Sequence, residues 1–158
     1  MMTEELALPD AAATRRLGAA LAEGIAPGRV LFLHGDLGAG KTTLVQGLLR
    51  ALGFPGRVKS PTYSLVELYE LSSLNLYHFD FYRFTDRSEW EASGFREYFT
   101  AATACIIEWP ERASGLLAPP DLEVRLAFAG SGRSARLAPH SAPGRDWLVA
   151  ALRRWSQG

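Results

Sequence analysis

The sequence predicts an α/β fold in which a mostly parallel central sheet is flanked by helices. The first observation is an apolar, β-prone run at residues 30–33, followed by a glycine-rich stretch and then by apolar residues at helical spacing. The second is a continuous apolar run at residues 103–109, which is typical of a parallel strand buried on both faces. The third is the length, since 158 residues suit one domain, residues 1–158, with a sizeable core.

The first half of the chain predicts the order strand, helix, strand, glycine-rich loop, helix. Residues 5–8 are expected to form a short edge strand. Asp10 is then a favourable N-cap for a helix that reaches about Gly24. The helix after the glycine-rich loop begins at Lys41 and ends near Gly53. This alternation of strands and helices favours a parallel sheet.

The second half predicts an antiparallel hairpin inserted into this α/β order. Two β-prone stretches, residues 64–71 and 74–84, are joined by a short serine turn, which favours antiparallel pairing. Beyond them we expect a helix with Ser88 as its N-cap, a buried strand, a C-terminal hairpin and a last helix. These elements are predicted at residues 88–99, 103–109, 121–128 with 133–138, and 146–155.

The charge balance argues against direct binding to nucleic acid or to a membrane surface. Lys+Arg and Asp+Glu both number 17, so there is no net basic charge. The single cysteine, Cys105, lies in an apolar stretch and is predicted to be a buried, reduced thiol. The first residues include Glu4 and Glu5 rather than an apolar signal segment, and no window has the length of a membrane span. We therefore expect a cytoplasmic protein.

The most informative stretch is G-D-L-G-A-G-K-T at residues 35–42. It fits the pattern G-x-x-x-x-G-K followed by Ser or Thr, between a strand and a helix, as a phosphate-binding P-loop requires. The glycines allow backbone N–H groups to point inward, and the following helix adds the positive end of its dipole. Lys41 is expected to reach the β- and γ-phosphates, and the Thr42 hydroxyl to bind Mg²⁺. The alternative is a glycine-rich turn that binds nothing.

Two acidic residues are candidates for completing a metal-dependent site. Glu108 follows a buried apolar strand, so its carboxylate is expected to emerge at the sheet edge beside the phosphates. Asp80 ends a stretch whose alternation fits a half-exposed strand. We predict Glu108 as the metal-side carboxylate and Asp80 as the residue that orients water or supports Mg²⁺. In the alternative interpretation, either carboxylate caps a turn or pairs with an arginine.

Other residues are weaker candidates for contact with the nucleotide. The segment at residues 60–63 lies where many P-loop proteins sense the γ-phosphate, and Thr62 offers a hydroxyl there, although an ordinary turn explains the segment equally well. His78 is predicted to be a packed histidine, and Trp109 either stacks on a base or packs in the core. Guanine-specific P-loop proteins carry N-K-x-D, which this sequence lacks, so ATP is favoured over GTP.

Four motifs together carry a resemblance to a known family. They are G-D-L-G-A-G-K-T-T at residues 35–43, V-K-S-P-T-Y-S-L-V-E at 58–67, H-F-D-F-Y-R at 78–83 and I-E-W-P-E at 107–111. In this order they resemble the bacterial TsaE (YjeE) family, the P-loop ATPases of tRNA threonylcarbamoyladenosine biosynthesis. The resemblance covers nearly the whole chain, and the combination is far more specific than a P-loop alone.

The resemblance implies a role for each matching position. It implies that Lys41, Asp80 and Glu108 act in hydrolysis, that Thr42 and Glu108 ligate Mg²⁺, and that residues 60–62 form a mobile switch. The positions that it implies at or near the ATP are Ala11, Gly38, Ala39, Gly40, Lys41, Thr42, Thr43, Thr62, Trp109 and Arg133.

The resemblance also implies partners. Members of the family are expected to associate with TsaD and TsaB, where TsaD transfers the threonylcarbamoyl group and ATP hydrolysis resets the assembly between turnovers. Contact with tRNA is then indirect, and neither a membrane nor DNA is involved. Two alternatives stay open. One is a small-molecule phosphotransferase, although the sequence lacks an arginine-dense lid, and the other is a nucleotide-dependent binding switch whose hydrolysis is incidental.

Overall fold

The computed structural model describes residues 2–61 and 63–158, which form a seven-stranded sheet with the strand order β1-β7-β6-β2-β5-β4-β3. The elements in chain order are β1 (Glu4–Leu8), α1 (Ala11–Ala22), β2 (Val30–His34), α2 (Lys41–Ala51), β3 (Val66–Glu70), β4 (Asn75–Asp80), α3 (Arg87–Ser93), a 3₁₀ helix (Phe95–Tyr98), β5 (Thr103–Glu108), a second 3₁₀ helix (Pro110–Ala113), β6 (Leu122–Ala129), β7 (Gly132–Pro139) and α4 (Ala142–Gln157).

The four central strands, β6, β2, β5 and β4, run parallel, and the strands outside them pair antiparallel. Three of the six pairings are parallel (β2 with β5, β2 with β6, β4 with β5). The other three are antiparallel (β1 with β7, β3 with β4, β6 with β7). The prediction of a mostly parallel sheet is therefore not confirmed, because two hairpins and an edge strand balance the parallel centre. The predicted hairpins and edge strand are themselves confirmed.

The predicted helix over residues 88–99 is wrong in its start and its extent. The N-cap is Asp86, whose carboxylate accepts a hydrogen bond from the Glu89 N–H at 3.1 Å, and not Ser88. The helix ends at Gly94, which adopts a left-handed φ of 67°. The residues beyond it form the first 3₁₀ helix.

Helices α1 and α4 also begin at a residue whose side chain caps them. Asp10 accepts a hydrogen bond from the Ala13 N–H at 2.9 Å, as the predicted N-cap of α1. Ser141 accepts one from the Gly144 N–H at 3.0 Å, so α4 begins at Ala142 and not near Asp146 as predicted. Among the described residues, no helix combines the length and the apolar character needed to cross a lipid bilayer.

Two apolar clusters hold the sheet and its helices together. The larger cluster combines α1, α2 and α4 with side chains of the sheet, and includes Leu17, Leu48 and Trp147. The smaller is rich in aromatic residues and joins β4 and β5 to α3 and the first 3₁₀ helix. Cys105 belongs to the smaller cluster, where burial raises the pKa of its thiol to about 12. The prediction of a buried, free cysteine is confirmed.

Helices α1 and α2 approach each other so closely that only glycine fits at two contact points. A Cβ added to Gly18 would lie 2.0 Å from the carbonyl oxygen of Leu44, and one added to Gly47 would lie 2.1 Å from that of Arg15. This contact fixes the position of α2 and therefore of its N-terminus, which follows the glycine-rich loop directly.

We predict that Gly47→Ala lowers the free energy of unfolding by about 3 kcal/mol, because the added methyl group forces the two helices apart. Urea unfolding followed by circular dichroism measures this loss. The neighbouring substitution Gln46→Ala is the control and should change the free energy of unfolding by less than about 0.5 kcal/mol. An equal effect of both substitutions would contradict the close-packing explanation.

Candidate functional site

The glycine-rich loop between β2 and α2 lines a cavity of about 420 Å³. Gly38 and Gly40 have φ angles of 81° and 109°, in the region that residues with side chains disfavour. Gly40 is the N-cap residue of α2, and the first residues of that helix also line the cavity. The positive end of the helix dipole and its unbonded N–H groups therefore lie at the cavity, where an anion is favoured.

The carboxyl ends of β4 and β5 contribute two acids to the same cavity. Asp80 is the last residue of β4 and Glu108 the last of β5, and the two lie directly opposite each other in the parallel register. Glu108 is also opposite Leu33 of β2, the strand that leads into the loop. Parallel strands end at one edge of a sheet, so both carboxylates line the cavity together with Lys41 and Thr42.

Lys41 is held inside the site. Its Nζ donates a hydrogen bond to the carbonyl oxygen of Gly35 at 2.5 Å and lies 3.8 Å from the centre of the Trp109 ring. Burial lowers the pKa of Lys41, although the negative charges of Glu108 and Asp80 oppose that change. The site thus places a cation at low solvent exposure beside two acids.

The surroundings of Asp80 favour its protonated form. Its side chain is 4% exposed, and burial raises its pKa. The neighbouring charge of Glu108 raises it further, whereas a hydrogen bond from the Tyr82 N–H to Oδ1, at 2.9 Å, opposes the change. Asp80 therefore retains a proton to higher pH than an ordinary aspartate.

Glu108 forms a buried hydrogen bond with His78, and this contact was not predicted from the sequence. The Nε2 atom of His78 lies 2.6 Å from Oε2 of Glu108, and both side chains are buried. The usable signal was the spacing, because His78 and Asp80 are two residues apart on a strand and so share one face. Glu108, the acid at the end of the neighbouring strand, is then within reach.

A smaller cavity of about 180 Å³ shares Gly38, Gly40 and Thr43 with the larger one. Ala11, at the start of α1, and Arg133 line this second cavity. The Nη2 atom of Arg133 donates a hydrogen bond to the carbonyl oxygen of Gly38 at 3.0 Å. The structure thus brings Ala11, Thr43 and Arg133, three residues that the sequence predicted for the nucleotide, to the same loop.

Of the three other predicted residues, one lines neither cavity, one lies outside the described residues and one lines the larger cavity. Ala39 contributes to neither cavity lining described here, because its side chain is buried in the core and its N–H donates to the Asp36 carbonyl oxygen at 3.0 Å. Thr62 lies outside the described residues, so the predicted switch is represented by Ser60, which lines the larger cavity. Trp109 lines the larger cavity as well, with a left-handed φ of 54°.

Two further histidines, His34 and His140, lie at hydrogen-bonding distance from one carboxylate, Glu123, beside the start of the glycine-rich loop. His34, the last residue of β2, has its Nε2 atom 2.6 Å from Oε2 of Glu123 on β6. His140 approaches the other oxygen of Glu123 at the same distance. Burial alone would raise the pKa of Glu123, but the hydrogen bonds with the two histidines outweigh it and lower the pKa.

The amino-acid sequence matches one protein-family model over residues 8–136, that of TsaE, described as threonylcarbamoyl adenosine biosynthesis protein TsaE. A protein of Haemophilus influenzae named tRNA threonylcarbamoyladenosine biosynthesis protein TsaE is 42% identical over 121 residues, which cover 77% of this chain and 77% of that protein. A Bacillus subtilis protein of the same name is 41% identical over 118 residues, which cover 75% and 72%.

The fold is also similar to a solved structure. The crystal structure of YdiB from Bacillus subtilis superposes with a TM-score of 0.83 at 27% sequence identity. The superposition covers 96% of this chain and 95% of that chain. The mixed sheet and its helices are therefore an architecture shared across nearly the full length of both proteins.

We predict that Asp80→Asn stabilises the ligand-free protein at pH 7. The pKa of Asp80 is higher in the folded than in the unfolded state. At a pH above both values the acid destabilises the folded state, because the unfolded chain releases the proton more readily. We expect the melting temperature to rise by about 2–4 °C, which corresponds to about 1 kcal/mol for a chain of this size.

The difference in melting temperature between Asp80→Asn and the wild-type protein should disappear as the pH falls below the ordinary pKa range of aspartate. There the carboxyl group is protonated in both the folded and the unfolded state. Differential scanning calorimetry between pH 4 and pH 8 tests both statements. Asp146→Asn, at an exposed position of α4, is the matched control and should leave the melting temperature unchanged. A lower melting temperature for Asp80→Asn at pH 7 would show that the ionised carboxylate stabilises the fold.

Proposed function

We propose, from the premise that this chain belongs to the TsaE family of threonylcarbamoyl adenosine biosynthesis proteins, that it is the Mg²⁺-dependent ATPase subunit of tRNA threonylcarbamoyladenosine biosynthesis. The observation that carries the proposal is the meeting of Lys41, Thr42, Asp80 and Glu108 in one cavity at the N-terminus of α2. These four side chains come from three separate parts of the chain, and a turn that binds nothing does not require them to meet.

Several features of the cavity and of the sequence support ATP as the ligand. Its volume of about 420 Å³ lies within the range of small-molecule sites. The glycine-rich loop and the first turn of α2 offer N–H groups to phosphate oxygens, and Lys41 adds a positive charge. Burial lowers the pKa of Lys41, whereas an adjacent polyanion would raise it and favour the charged form of the side chain. The missing N-K-x-D motif favours adenine over guanine.

The residues present also fit Mg²⁺. The Thr42 hydroxyl and the Glu108 carboxylate are oxygen donors of the kind that Mg²⁺ uses when substrate phosphates and water complete its shell. A bound Mg²⁺ supplies charge neutralisation on the β- and γ-phosphates. Asp80 then accepts a hydrogen bond from the attacking water and orients it, while Lys41 holds the phosphates in place.

The partners that we propose are TsaD and TsaB, with tRNA reached only through them and the cytoplasm as the compartment. The equal numbers of basic and acidic residues support an indirect relation to tRNA, because phosphate contacts require clustered positive charge. Hydrolysis by this chain would then reset the partner complex between rounds of modification.

We predict that Lys41→Ala and Glu108→Ala each lower multiple-turnover tRNA modification at least about 100-fold in a mixture reconstituted with TsaD and TsaB, because each removes a group that stabilises transferring charge. The measurement is threonylcarbamoyladenosine formed per complex over time. Glu70→Ala, at an exposed position at the end of β3, is the matched control and should retain wild-type turnover. Full turnover by both site variants would contradict the proposal.

We also predict that TsaD and TsaB together stimulate ATP hydrolysis by this chain at least about tenfold, which corresponds to about 1.4 kcal/mol of additional transition-state stabilisation. Phosphate release with each partner alone and with both measures the effect. A non-hydrolysable ATP analogue should support no more than one round of modification. If it supports repeated rounds, the protein is a nucleotide-dependent binding switch and hydrolysis is incidental.

A further inference from the structure

The contact between His78 and Glu108 is the most deeply buried polar interaction of the candidate site. Their Nε2 and Oε2 atoms are 2.6 Å apart, and the two side chains are 0% and 3% exposed. A carboxylate removed from water to this extent requires hydrogen-bond donors to remain ionised. His78 supplies such a donor from within the protein.

The register of β4 and β5 determines the direction from which His78 reaches Glu108. The strands run parallel, with Asp80 opposite Glu108 and His78 opposite Ile106. His78 and Asp80 share a face, and His78 lies two residues further from the sheet edge than the Asp80–Glu108 pair does. His78 therefore meets Oε2 from the interior, and Glu108 also lines the cavity at the sheet edge.

The second ring nitrogen of His78 identifies the tautomer. Nδ1 is buried and has no hydrogen-bond partner among the described residues. A proton on Nδ1 would be a buried donor without an acceptor, which costs the desolvation free energy of that N–H group. The proton is therefore on Nε2, and His78 donates to Glu108.

We propose that His78 is a positioning residue for the metal site: by donating to Oε2, it holds Glu108 in the one orientation that presents Oε1 to Mg²⁺. This inference rests on the proposed function, since it takes Mg²⁺ and ATP as the ligands of the cavity. The role resembles that of groups that orient a metal ligand through its other atom, whose loss typically weakens metal binding about 10- to 100-fold.

A matched pair of substitutions separates positioning from packing. In His78→Gln the side-chain amide nitrogen extends to the place of Nε2, and in His78→Asn it ends near the place of Nδ1 and does not reach Glu108. The measurement is the Mg²⁺ dependence of binding of a fluorescent ATP analogue, mant-ATP, to the purified full chain. His78→Asn should raise the half-saturating Mg²⁺ concentration at least about tenfold, and His78→Gln less than about threefold.

Affinity for mant-ATP without Mg²⁺ should be unchanged in both variants, because the loop and Lys41 are left intact. Equal shifts in the two variants, or an equal loss of metal-free affinity, would mean that His78 only packs, and would overturn the inference. If His78→Asn does not fold, the test uses His78→Gln alone, and a more than tenfold rise in its half-saturating Mg²⁺ concentration would overturn the inference. If the wild-type protein binds mant-ATP without any Mg²⁺ dependence, the proposed function fails first and the inference fails with it.

Discussion

The parallel register of β2, β5 and β4 is the constraint on which the site depends. Leu33 lies opposite Glu108, and Glu108 lies opposite Asp80, so the three strands end at one edge of the sheet. The loop that follows β2 reaches the same edge and begins α2 there. A shift of β5 by one residue would turn Glu108 into the aromatic cluster on the other face, because side chains alternate along a strand. The position of both acids is thus a property of strand pairing.

The charges assembled at this edge destabilise the ligand-free fold. Burial lowers the pKa of Lys41 and raises that of Asp80, so each group is ionised at a cost in free energy. The close packing of α1 on α2 through Gly18 and Gly47 and the two apolar clusters offset this cost. Such a balance is typical of sites that are preorganised for charged ligands, where the scaffold and not the ligand holds the polar groups in position.

Local sequence signals predicted those features that a few neighbouring residues determine. The glycine-rich loop, the Asp10 cap and both hairpins follow from turn and capping chemistry within about ten residues of chain. Asp86 and Ser88 are both good N-caps two residues apart, so the start of α3 could not be decided locally. Glu108 and Asp80 were found because each ends a strand-like stretch. The hydrogen bond between His78 and Glu108 depends on the pairing of two strands separated by a helix, and the spacing of His78 and Asp80 indicates only that these two residues share a face.

The strand order also has a consequence for how the chain folds during its synthesis. β2 carries the loop, yet its two partners, β5 and β6, lie some seventy to ninety residues further along the chain. β1 pairs with β7, which is nearly the last element made. Contacts so distant in sequence close slowly, because the chain entropy must be lost before the contacts form. During synthesis, β2 therefore stays without its sheet partners until β5 and β6 have emerged, and unpaired apolar strands of this kind favour aggregation.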